Sequence, residues 1–204
     1  MYSKAKIFNL ALGFLLLQRQ IVNPDTDQSN EAKVLLSHWD TALWSTLEDM
    51  DLDSTSTQAT LTLVEQDPTD LWTYAYKYPA KCVFLRRIQS AMEVDNRSTH
   101  IPKRIAIHDG EKVIFTNQAE PIAEYISSDL PLSALSPNAA MAIAAKLADL
   151  SASLITGKGA RELRKDIMEK YVFYKAKAQE QDQRENFVYS DPVVDSEFVE
   201  ARTE

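Results

Sequence analysis

Apolar positions crowd nearly every face of the first segment: Ile7, Phe8, Leu10, Ala11, Leu12 and Phe14 to Leu17. That predicts a helix over about 3–20, buried between other elements. Asn23 to Ser29 then carries turn residues. Beyond it, Ala32, Leu35, Leu36, Trp39, Leu43 and Leu47 recur at helical spacing, and Ser29 suits the N-cap. A second helix is expected over about 30–50. The short link between the two predicts an antiparallel helical hairpin.

The pattern then changes. A polar stretch from Asp49 to Gln58 reads as a loop, and Ala59 to Val64 alternates as a strand does. Asp70 to Tyr78 is dense in aromatics. Pro79 suits the first turn of a short helix carrying Cys82, Phe84, Leu85 and Ile88. Arg104–His108 and Glu111–Thr116 flank Asp109-Gly110, a strong hairpin signal, because a type I′ turn needs positive φ at both central positions. The β-containing insertion is placed at about 59–118.

Ser136 and Pro137 open an alanine-rich helix over about 137–156 that Gly157 stops. A charged helix over about 160–185 follows. Leu163, Ile167, Tyr171 and Tyr174 lie near one face, and Arg161, Glu162, Arg164, Lys165 and Asp166 on the exposed side. Beyond Phe187 no period remains and Pro192 blocks regular pairing, so 187–204 reads as an extended tail awaiting a partner. The fold class expected is mainly α: a helical bundle with a small β-hairpin insertion and an extended C-terminal tail. Residues 1–186 form the domain.

Composition narrows the function. The chain has 204 residues and a net charge of −8. Tight general DNA binding by counter-ion release needs a cationic excess that is missing here. One cysteine, Cys82, permits no internal disulfide and reads as a small buried side chain. Lys4 and Lys6 before an apolar run imitate a signal peptide, but Asn9 interrupts the run and no small-x-small site follows. The run is also too short for a bilayer, and no other stretch reads as a membrane span.

Catalytic and metal motifs are few. His38, His100 and His108 fall in no ligand motif. Asp49, Asp51 and Asp53 imitate the start of a calcium loop, yet Ser54 and Thr60 stand where Gly and Glu are required. Gly157-Lys158-Gly159 lacks the phosphate-loop spacing and reads as a turn between helices. No cofactor, metal or catalytic residue is assigned.

The order of segments is similar to a known family. A Phe8–Leu12 helix leads to a second helix with Trp39 at its centre, then to Trp72-Thr73-Tyr74-Ala75-Tyr76-Lys77-Tyr78-Pro79. Arg104-Ile105 and its hairpin into Val113-Ile114-Phe115-Thr116-Asn117 follow, then an alanine-rich helix and a charged helix holding Tyr171. Over about 3–186 this resembles the head-to-tail adaptor proteins of tailed bacteriophages, the group that includes tail tubular protein A.

The resemblance implies a helical bundle with a β-containing insertion and no catalytic residues. It implies a ring of about twelve copies under the portal protein, retaining packaged DNA and offering a platform to the tail nozzle or next tail protein. DNA would pass through without specific binding, and no membrane is involved. The place implied is the virion head-tail junction, with host cytoplasm before assembly. In such proteins the C-terminal segment often docks on the portal. Here its apolar residues Phe187, Tyr189, Val193 and Phe198 are the expected contacts with portal or a neighbouring subunit. Two rival classes are a bacterial cytosolic helical protein-interaction module and a small enzyme.

Overall fold

The computed structural model describes residues 1–90, 101–157 and 160–186. It contains helices α1 (Lys4–Phe14), α2 (Asn30–Met50), α3 (Pro137–Thr156) and α4 (Ala160–Glu185). Between α2 and α3 the described residues form seven strands: β1 (Ser56–Thr60), β2 (Leu63–Thr69), β3 (Trp72–Lys77), β4 (Cys82–Ser90), β5 (Lys103–His108), β6 (Glu111–Thr116) and β7 (Pro121–Ser127). They form two antiparallel sheets, ordered β1-β7-β4 and β2-β3-β6-β5. The architecture is therefore α+β, which corrects the expected mainly helical bundle with a small hairpin. The strands reach from residue 56 to residue 127, beyond the expected 59–118.

The missed strands have a physical reason. Cys82, Leu85 and Ile88 are three residues apart, which imitates a helix. In the structure that spacing arises from two register shifts in β4, at Cys82/Phe84 and Leu85/Arg87. The expected helix after Pro79 is thus a bulged strand. β7 is the middle strand of its sheet and buries Ala123, Glu124 and Ile126, so both faces are covered and no alternation shows. The stretch 59–64, read as one strand, bends at Leu61–Thr62. Leu61 N–H still bonds Pro121 in one sheet, while Thr62 C=O already accepts from Lys77 in the other.

α3 is the hub of the helices, and α1, α2 and α4 all pack on it. Alanines make this possible: Ala139, Ala142, Ala144, Ala145 and Ala148 are fully buried and let neighbouring backbones approach. By length and composition α3 could cross a membrane, unlike the expectation for every segment, but most of it is buried in the fold. α1 and α2 do not form the expected pairwise hairpin. They share α3, and they touch through Phe8 and Trp39, whose ring centroids lie 5.6 Å apart.

α1 stops at Phe14 rather than near Gln20, with Leu16 at φ 59°. The returning chain is fastened by Asn9, the residue that interrupts the apolar run. Its Oδ1 accepts from Ile21 N–H at 2.7 Å and its Nδ2 donates to Ile21 C=O at 3.0 Å. Other sequence signals hold: Ser29 and Ser136 accept N-cap bonds from Ala32 and Ala139, and Gly157 ends α3 with φ 71°. Asp109 and Gly110 both have positive φ in the β5–β6 turn.

There are two main cores. The helices share one with Ile126 and Phe84 of the first sheet. The second lies between the sheets, where Leu85, Ile88 and Ala123 meet Tyr76 and Ile114.

Candidate functional site

Two regions gather charged side chains. The first joins the helices to the sheet. Because β4 shifts register between Leu85 and Arg87, the consecutive Arg86 and Arg87 both reach Glu124 on β7. Gln89 adds a third bond to the same carboxylate at 3.0 Å. Glu124 is only 3% exposed, and a carboxylate so buried requires such partners. Arg86 extends further, to Asp51 at 2.6 Å and Asp53 at 2.5 Å. Burial works against the Arg86 charge. The hydrogen bond to Asp53 and the charges of Asp51, Asp53 and Glu124 outweigh it and hold its pKa above the ordinary value. The end of α4 closes the junction: Asp182 accepts from the N–H groups of Asp53 and Ser54 at 2.7 and 3.0 Å. Among the described residues these bonds and ion pairs fasten the helical layer to the first sheet.

The second region lies where α3 gives way to α4. A cavity of about 470 Å³ is lined by Asp149, Ser153, Ala160, Arg161, Arg164, Lys165 and Met168. Arg164 Nε donates to Asp149 Oδ1 at 2.8 Å. That hydrogen bond, with the Asp149 charge, raises the Arg164 pKa. Arg161 and Lys165 make no ion pair among the described residues. Helical spacing continues the cavity along α4, from Arg161 and Lys165 through Met168 to Val172, which is 60% exposed.

On the other flank of α4, Phe173 is 57% exposed. Its ring meets Tyr174 at 5.3 Å, and Tyr174 meets Phe14 of α1 at 6.3 Å. Lys170 lies over Phe14 at 5.4 Å. An otherwise charged helix thus turns two large apolar side chains, Val172 and Phe173, to solvent in its middle.

The expected site residues Phe187, Tyr189, Val193 and Phe198 lie outside the described residues, as do His100, Lys158 and Gly159. His108 ends β5, and its Nε2 lies 2.6 Å from Glu65 Oε2. The Cys82 thiol is half-buried and donates to the Tyr78 hydroxyl at 3.3 Å, and burial pushes its pKa up. Among the described residues no three His, Cys, Asp or Glu side chains converge as a metal site. Sequence reasoning placed Arg161, Arg164 and Lys165 on the exposed side of a helix but did not see the cavity, because Asp149 and Ser153 come from another helix. It missed Arg86 and Glu124 altogether; the adjacent Arg86-Arg87 was their one local signal.

No protein-family model matches this chain, and no curated protein matches it in sequence.

Proposed function

We propose that this chain is a non-enzymatic virion connector, a head-to-tail adaptor that assembles as a ring between portal and tail. The observation that carries the reading is the apolar pair Val172 and Phe173 presented by α4 beside the Phe14–Tyr174 contact. A long charged helix has no need of such residues for its own packing, and exposed apolar groups rimmed by charge mark association surfaces. The order of segments supports the same reading, and so does the acidic balance, since an acidic channel does not grip a phosphate backbone.

The test is to mix the purified chain with its portal and image the product by electron microscopy. A closed ring seated on the portal is expected. Virions in which no copy of this chain occupies the head-tail junction would overturn the reading.

A further inference from the structure

We infer that the cavity between α3 and α4 receives the C-terminal segment, residues 187–204, of a second copy of this chain. The inference rests on the connector reading, which supplies the neighbouring copies.

The cavity has the chemistry for an acidic peptide with an apolar anchor. Its lining offers Arg161 and Lys165 without ion-pair partners among the described residues, while Arg164 is held by Asp149. Ala160 and Met168 supply apolar floor, and Val172 extends it. The segment matches both features. It holds Asp191, Asp195, Glu197, Glu200 and Glu204 against Arg202, a net of −4. Within Glu197-Phe198-Val199-Glu200 an aromatic and a valine stand between two carboxylates. An apolar anchor flanked by carboxylates complements an apolar floor flanked by the Arg161 and Lys165 cations. Such pairing of an anchor with flanking charge gives both affinity and register.

α4 separates Met168 from Asn186 by 18 residues, about 27 Å of helix. The stretch from residue 187 to 198 spans up to about 40 Å when extended, so its length suffices to reach such a cavity, and the connector reading supplies the adjacent copy that offers one. The contact is then heterologous, tail of one copy into cavity of the next, and a heterologous contact with the right rotation closes into a ring.

The test uses the full chain, half of it isotope-labelled, mixed with portal and treated with a zero-length carboxyl-to-amine cross-linker. Cross-links from Lys165 to Glu197 or Glu200 are expected, with labelled and unlabelled copies joined in the same peptide pair. Arg161→Glu with Lys165→Glu weakens copy-to-copy association about tenfold or more, by reversing two charge contacts. Glu197→Lys with Glu200→Lys does the same, and mixing the two variants restores assembly because each supplies what the other lacks. Cross-links confined to a single isotope overturn the inference in favour of docking within one copy. A portal-bound ring without these cross-links overturns it and leaves the connector reading intact. Mixed-isotope cross-links without portal binding do the reverse.

Discussion

Arg86 Nη1 lies 2.9 Å from Glu124 on the neighbouring strand and 2.5 Å from Asp53 just beyond α2. One guanidinium therefore ties the first sheet to the helical layer. Arg86→Met leaves Glu124 buried with Arg87 and Gln89 alone. The expected loss is about 3 kcal/mol, in the range for breaking a buried pair. Asp51→Asn, at a half-exposed partner, is expected to cost about 0.5 kcal/mol. Urea titration of both variants checks this, and equal small losses would show that the network contributes little.

Tyr171 and Asp49 bear on stability at alkaline pH. The Tyr171 hydroxyl donates to Asp49 Oδ2 at 2.6 Å, and burial, with that bond, raises its pKa above the ordinary 10. Burial raises Tyr78 in the same direction. A proton held more tightly by the folded state stabilises it fully below the unfolded pKa. That stability is lost as pH rises from about 10 toward the raised value. Tyr171→Phe should be less stable at neutral pH by about 1 kcal/mol, yet decline less between pH 10 and 11. Denaturant midpoints across that range decide it.

Gly110 has φ 81° in the β5–β6 turn, and a Cβ there would meet nothing within 4 Å. The cost of Gly110→Val is therefore one of backbone conformation alone, about 1–3 kcal/mol. Amide exchange should quicken in β5 and β6, while α3 amides keep their protection. Unchanged exchange in the hairpin would contradict the turn geometry.

Ending the chain after Asn186 keeps every described contact of the α4 terminus. Gln179 still donates to Met50 C=O, and Asp182 still accepts from Asp53 and Ser54. Circular dichroism should show unchanged helix content and a melting temperature within about 2 °C of the full chain. Copy-to-copy association should fall to the level of the charge-reversed cavity. A loss of helix on truncation would show that 187–204 belongs to the folding core.

Local chemistry made part of this protein legible from its residues alone. Ser29, Ser136 and Gly157 mark helix ends because a cap is satisfied within three or four residues of itself, and Asp109-Gly110 marks a turn for the same reason. The helices over 30–50, 137–156 and 160–185 follow from periodicity, which is also local. Tertiary structure decided the rest. Bulges in β4 placed apolar residues at helical spacing, so only pairing with β7 reveals a strand. β7 itself hides Glu124 among apolar residues, and that carboxylate is tolerable only because Arg86 and Arg87 arrive from another strand. The end of α1 depends on Asn9 bonding a backbone twelve residues away, and the α3–α4 cavity depends on Asp149 and Arg164 meeting across a turn. Caps and turns are settled by neighbours in sequence, whereas sheets, buried charges and cavities are settled by partners that only the folded chain brings together.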